Sequence, residues 1–288
     1  MANAQSTASR LAARVPQSIV ERIPAAIRVD LWDSLWEGLA WAQTPAKREV
    51  VRLRDHLRMR GLARAPAGGT PIAVQLKCLS CGPVPLRPGT SDAQVVFETF
   101  VGRYHLPPAG THAATVWDLG TNLGLTVAHF AELWPQARIT GLEPQPDLAA
   151  TTANLVRAYG PRCTVIEAAV WTSDGSVSFA VDPGNEFGGH VDSGESGYTV
   201  PALSLNTLLE QTGPPDYVKM DIEGGEALVL RENTEWAQAV AMIKVECHLD
   251  YTVDDCTRDL EALGFKTRVE PQRDACVLGW RGTTPGPS

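Results

Sequence analysis

The chain has 288 residues and a mass of 31.0 kDa, 44% of them apolar and 20% charged, a globular composition with length enough for a large core in one or two domains. Lys+Arg number 25 and Asp+Glu 33, a net charge of −8 with a pI near 5.3, which argues against a nucleic-acid partner held by phosphate contacts. No run approaches the ~18 apolar residues of a membrane span, and Arg10, Arg14, Glu21 and Arg22 interrupt any signal-peptide core, so a cytoplasmic protein with no membrane contact is expected.

Residues 1–70 carry 11 Lys+Arg against 6 Asp+Glu, while the rest carries 14 against 27. Leu31, Leu35, Trp36 and Leu39 share a helical face, and Pro16, Pro24 and Pro45 divide the segment into short helices. The plainer reading is a helical cap with a solvated basic face. The sharper one is a lid, or a homodimer arm built on Trp32, Trp36 and Trp41. Residues 65–71, APAGGTP, read as a linker, so the domains are drawn at 1–70 and 71–288. Cys78 and Cys81 form a CxxC with no second pair at zinc spacing, and read as reduced thiols on a strand and its turn.

Beyond the linker, strands and helices alternate. A strand is predicted at 72–77 and a helix at 91–100. Strands follow at 115–118, 138–142 and 164–166, with helices at 125–134 and 147–159 between and after them. Strands at 216–221 and 241–247, a helix at 254–263, and strands at 266–269 and 275–280 complete the pattern. Such alternation predicts an α/β fold with a doubly wound, mostly parallel sheet. Strands at 177–181 and 198–202 flank a Gly-rich loop at 183–197, a length often seen in functional lids.

Four segments carry chemistry. Asp118-Leu119-Gly120-Thr121-Asn122-Leu123-Gly124 leaves a strand and enters a helix, where glycines let a ligand approach the backbone. It departs from the dinucleotide fingerprint GxGxxG, since Asn122 stands at the second glycine position. Glu143 ends the next strand, where an acid can accept both hydroxyls of a ribose. Val218 to Glu226, VKMDIEGGE, ends a strand with clustered acids, which suit a cation or a proton transfer. Glu246-Cys247-His248 ends its neighbour, and a neutral imidazole there can take a proton near pH 7. Lys219 and Glu246, on adjacent strands, are expected to pair with each other or with Lys244.

DLGTNLG, GLEPQPD, AAVWTSDG (168–175), VKMDIEGGEALVL and IKVECH together resemble the FkbM-type S-adenosylmethionine-dependent methyltransferases, over about residues 84–280. The resemblance implies a Rossmann-like class I methyltransferase fold with a seven-stranded sheet. It implies O-methyl transfer to a small-molecule hydroxyl on a sugar, polyketide or other specialised metabolite. Asp118, Gly120, Asn122 and Gly124 would frame the methionine half of the cofactor, Glu143 would hold the ribose, Glu167 and Ala168 would flank the adenine, and Asp221 would sit near the sulfonium. Trp171 and the Gly-rich loop are the acceptor-side candidates. His248 is then the expected base, oriented or neutralised by Asp221. A divalent metal on Asp221, Glu223 and His248 is the less favoured alternative. A nicotinamide-dependent oxidoreductase and a non-catalytic binding domain stay open as rival functions.

Overall fold

The computed structural model describes residues 42, 44–182, 185–191, 197–270 and 275–283. The face bearing Leu31 to Leu39 and the Trp32, Trp36 and Trp41 set lie outside the described residues, as do the loop residues 183–184 and 192–196. Contacts group the described chain into two compact units, one ending at Cys78 and including Pro83–Ala93, the other comprising Leu79–Gly82 and Gln94 onward.

In the first unit, α1 (Pro45–Val50) and α2 (Leu53–Ala63) precede a small hairpin of β1 (Ile72–Val74) and β2 (Val84–Leu86). The predicted strand 72–77 is shorter than expected: Leu76 keeps only an isolated bridge to Val51, and the Lys77 ammonium turns back to the Arg48 carbonyl at 2.6 Å. The turn before α3 (Asp92–Phe97) is fastened by Arg87, whose guanidinium meets the Asp92 carboxylate at 2.6 Å. No helix or strand occupies residues 65–71.

In the second unit, α3 ends in a single π-helical turn, Glu98–Gly102, where a helix to residue 100 was expected. Then come β3 (Thr115–Leu119), α4 (Leu125–Leu133), β4 (Arg138–Glu143), α5 (Pro146–Val156) and β5 (Cys163–Glu167). After the accessory strands described below come α6 (Leu205–Thr212), β10 (Tyr217–Met220), α7 (Glu226–Val229), β11 (Met242–Glu246), α8 (Val253–Ala262), β12 (Lys266–Val269) and β13 (Cys276–Trp280). The main sheet has seven strands in the order β12-β13-β11-β10-β3-β4-β5, and only β13 runs against the rest. This is the doubly wound, mostly parallel arrangement expected. Strand order reverses between β3 and β10, so a crevice opens at their carboxyl ends.

Alternation along the strands builds two cores. Trp117, Val218 and Ile243 pack on one face with Leu208, Trp236 and Leu260, while Val116, Tyr217 and Ile139 pack on the other with Phe130 and Trp134. Both faces are covered, which is why β3 is buried at all five positions. Helix ends are fixed locally: Ser204 caps α6 by accepting the Thr207 N–H, and Thr252 and Asp255 form a capping box on α8.

A second sheet of four strands has the order β6-β9-β7-β8, from β6 (Ala169–Trp171), β7 (Gly175–Asp182), β8 (Asn185–Val191) and β9 (Tyr198–Ser204). Here the sequence reading is corrected. Residues 185–191, taken as part of a long loop, form an antiparallel edge strand on β7. Gly188 and Gly189 and the absence of a polar–apolar alternation across NEFGGHV hide it from a pattern search.

Candidate active site

The chain leaving β3 is drawn tightly beneath the crevice. Gly120 (φ 80°) receives its position from two N–H bonds, its own and that of Thr121, both to the Leu142 carbonyl at 3.0 Å. Asn122 (φ 50°) then donates its N–H to Glu143 Oε2 at 2.7 Å, and Gln145 N–H reaches Oε1 at 3.0 Å. The Glu143 carboxylate is only 4% exposed, and burial pushes it up to about 7 despite these two bonds.

A cleft of about 650 Å³ opens above this turn. Of the predicted cofactor residues, Gly120, Asn122, Glu143, Ala168 and Asp221 line it. The other three do not. Asp118 is wholly buried below, bonded to Thr126 Oγ1 and facing Lys219. Gly124 packs on α5, where a Cβ would lie 2.4 Å from Thr152 Cγ2. Glu167 is exposed and outside the cleft lining. Leu148, Phe179 and Ile222 supply apolar walls that the sequence reading missed. The inward alternation of Val177 and Phe179 on β7 was the available signal.

A second cavity of about 470 Å³ shares Gly120, Asn122, Asp221 and Glu223 with the cleft and extends to Glu98, Thr99 and Tyr104. At its floor Lys219, 3% exposed, donates to the Gly120 carbonyl at 2.7 Å and lies 3.4 Å from Asp118 and 3.2 Å from Asp221. Burial disfavours its charge, but Asp221 and Asp118 outweigh that and hold the ammonium well above the ordinary lysine range. The expected pairing of Lys219 with Glu246, or of Glu246 with Lys244, is thus corrected: Lys219 pairs with Asp118 and Asp221. Lys244, its register neighbour on β11, pairs with Glu270 at 3.1 Å and reaches the Leu106 carbonyl as well.

The end of β10 and the end of β11 meet at His248. Glu226, fully buried, accepts the N–H groups of Ile222 (3.2 Å) and Gly224 (2.9 Å), and its Oε1 lies 2.8 Å from His248 Nδ1. Nε2 is thereby turned to Asp221 Oδ1 at 3.5 Å and Glu223 Oε2 at 3.6 Å. Glu223 holds φ 59°, which carries its carboxylate to the junction of the two cavities. Burial, reinforced by Asp221, pushes Glu223 up to about 7. For His248, burial opposes the charge, but the bond to Glu226 and the field of Asp221 overcome it and lift the ring to about 9. An imidazolium at neutral pH differs from the neutral ring that a free base requires. Trp171 stands beside Gly225, 3.7 Å from where a Cβ would be, and Leu249 (φ 55°) is 82% exposed next to His248.

Among the described residues no helix is long and apolar enough to cross a membrane, and all six cysteines are free thiols.

The chain is 32% identical over 159 residues to the hexuronic acid methyltransferase AglP of Haloferax volcanii, a match covering 54% of this chain and 64% of that protein, so less than two thirds of the relative's length is represented. Solved structures that the chain matches include precorrin-6y C5,15-methyltransferase from Geobacter metallireducens (14% identity, 66% of this chain and 89% of that one, TM-score 0.40). Another is Aeropyrum pernix fibrillarin with natively bound S-adenosyl-L-methionine (14% identity, 58% and 65%, TM-score 0.35). The model of the methyltransferase FkbM domain matches residues 118–267, more than half of the sequence, and the chain belongs to that family.

Proposed function

We propose that the chain is an S-adenosylmethionine-dependent methyltransferase that transfers a methyl group to a hydroxyl of a small, neutral or sugar-like acceptor. One observation carries the reading: Gly120, Glu143, Ala168 and Asp221, from four different strand ends, line a single cleft. The residues present fit the cofactor. Each Glu143 oxygen accepts one N–H and keeps a lone pair for a ribose hydroxyl. Leu148, Phe179 and the small Ala168 offer an apolar slot for a flat base, and the Asp221 carboxylate, on the same cleft, would favour a cationic centre.

S-adenosylmethionine, when bound, supplies an already electrophilic sulfonium methyl. The protein's own task is alignment, bringing the acceptor oxygen to roughly 3–3.5 Å in line with the methyl carbon. Phe179 and Leu148 give the cleft apolar walls. Lys219 holds Gly120 and Asp221 in fixed relation. Asp221, Glu223 and His248 converge where the acceptor's hydroxyl proton must leave, and their oxygens and ring can bind the hydroxyls of a sugar. The name of the AglP relative supports a sugar-class acceptor.

Calorimetric titration with S-adenosylmethionine, S-adenosylhomocysteine and NAD tests the reading. Both adenosyl compounds bind wild type, and Glu143→Ala weakens them at least about tenfold, the loss of one charge-assisted hydrogen bond. Binding of NAD alone, or of none of the three, overturns it. Methyl transfer from labelled cofactor to a panel of hydroxylated sugars then identifies the acceptor.

A further inference from the structure

Asp221, Glu223 and His248 each present one ligand atom, and the three atoms all lie within 4.8 Å of one another. Their spacing is the informative feature. His248 Nε2 stands 3.5 Å from Asp221 Oδ1 and 3.6 Å from Glu223 Oε2, with Glu246 Oε1 at 3.9 Å. These separations exceed the roughly 2.7–3.2 Å of an N–H···O hydrogen bond. They match neighbouring donors around a tetrahedral Zn²⁺: bonds of about 2.0–2.2 Å at tetrahedral angles separate adjacent donors by about 3.3–3.6 Å.

Two further observations point the same way. The other ring nitrogen, Nδ1, is taken by the fully buried Glu226 at 2.8 Å. A carboxylate behind the imidazole is the usual support of a metal-bound histidine, because it keeps the Nδ1 proton in place, so that an arriving cation displaces only the proton on Nε2. Thr99, wholly buried, lines the cavity that holds Asp221, Glu223 and Glu246, and its hydroxyl has no hydrogen-bond partner among the described residues. A polar occupant of that cavity, such as a cation with its bound water, is what would satisfy it. The three donors are 15%, 30% and 17% exposed, and Asp221 and Glu223 line both cavities.

The geometry points to a divalent-cation site formed by Asp221, Glu223 and His248, suited to Mn²⁺ or Zn²⁺ ahead of Mg²⁺ because one donor is an imidazole nitrogen. The use of the site rests on the methyltransferase reading: the cation would take the acceptor's hydroxyl oxygen in an open position and acidify it. Binding itself does not depend on that reading.

The test uses the full chain after chelator treatment, titrated with Mn²⁺, with free Mn²⁺ followed by electron paramagnetic resonance. One Mn²⁺ binds per chain, and Zn²⁺ displaces it. Asp221→Asn and His248→Ala each weaken binding at least about 50-fold, and Glu226→Gln weakens it about 10–100-fold. Glu232→Gln, an exposed acid elsewhere, leaves it unchanged. Circular dichroism and melting confirm that each variant is folded, and Glu223→Gln provides a milder substitution should Asp221→Asn unfold. Absence of Mn²⁺ and Zn²⁺ uptake up to about 1 mM, or uptake unaltered in both Asp221→Asn and His248→Ala, overturns the site. S-adenosylmethionine binding is read separately by calorimetry. A chain that binds the cofactor and no cation refutes the metal site alone; one that binds the cation and no cofactor refutes the methyltransferase reading alone.

Discussion

The carbonyl oxygen of Asp221 lies 1.9 Å from where a Cβ on Gly120 would stand. The two strand ends, β3 and β10, are therefore pressed together at the point where the sheet order reverses. Gly120 also holds φ 80°, which costs a side-chain-bearing residue about 1–2 kcal/mol before any clash. Gly120→Ala is expected to lose both terms: a fall in stability of at least about 3 kcal/mol in urea denaturation, and loss of adenosyl-ligand binding in any variant that still folds. Unchanged affinity in Gly120→Ala would show that the close approach does not shape the cleft.

Glu143 makes a pH-dependent prediction. Its carboxyl is raised from an ordinary 4.5 to about 7, chiefly by burial. The folded, ligand-free protein then holds a proton that the unfolded chain releases, so this contribution to stability is full below about pH 4.5 and is lost as the pH rises through 7. The size is on the order of 3 kcal/mol. Glu143→Gln stays uncharged and should flatten the wild-type slope between pH 5 and 8, as measured by denaturation midpoints. The amide also has only one acceptor oxygen, so adenosyl-ligand affinity should fall about tenfold or more above pH 7.

The strands around that carboxylate were legible because buried parallel strands read as apolar runs ending in the residues that line the crevice. Trp117 to Gly120, Leu142 to Pro144, Met220 to Gly224 and Val245 to His248 all have this form, and parallel topology brings such ends to one edge. The site was less legible where it depends on a second sheet. Phe179 reaches the cleft from β7, and nothing local to residues 175–182 says which surface that sheet covers. Glu226 reads as an ordinary first-turn helix acid; only the folding of the Ile222–Gly225 turn makes it fully buried and sets it against His248. The partners of Lys219 depend on which strand lies beside β10, which the local sequence does not say. Its direct neighbours across the sheet are Asp118 on β3 and Lys244 on β11, and the ammonium bridges Asp118 to Asp221 at the strand end rather than reaching Glu246.

A second pH effect lies away from the cleft. His105 Nε2 and His129 Nδ1 are 3.0 Å apart beside Phe100 and Phe130. Burial lowers both rings, His129 to about 4 from an ordinary 6.5. A lowered value in the folded state means the reverse sign: stability is full above about pH 6.5 and is lost as pH falls through 4. From His129 alone the loss is on the order of 3 kcal/mol. The double variant His105→Phe/His129→Leu should flatten the decline between pH 6.5 and 4.5, and a wild-type curve that is level across that range would exclude the effect.

Lys219 carries the sharpest energetic test, because it is the buried counter-charge of two acids. Lys219→Met leaves Asp118 and Asp221 facing each other at the floor of the second cavity, with the Gly120 carbonyl losing its donor. Stranding a buried charge in this way costs about 3–5 kcal/mol. Asp118 is the deeper acid, fully buried, and already raised by burial. Adding Asp118→Asn to Lys219→Met should therefore recover a large part of the lost stability, a coupling of about 1–3 kcal/mol in a double-mutant cycle. Cofactor affinity should not recover with it, since Asp221 and Gly120 lack their common anchor in both variants. Parallel recovery of stability and affinity would mean that Lys219 serves only to neutralise Asp118, and that the cleft keeps its shape without the ammonium.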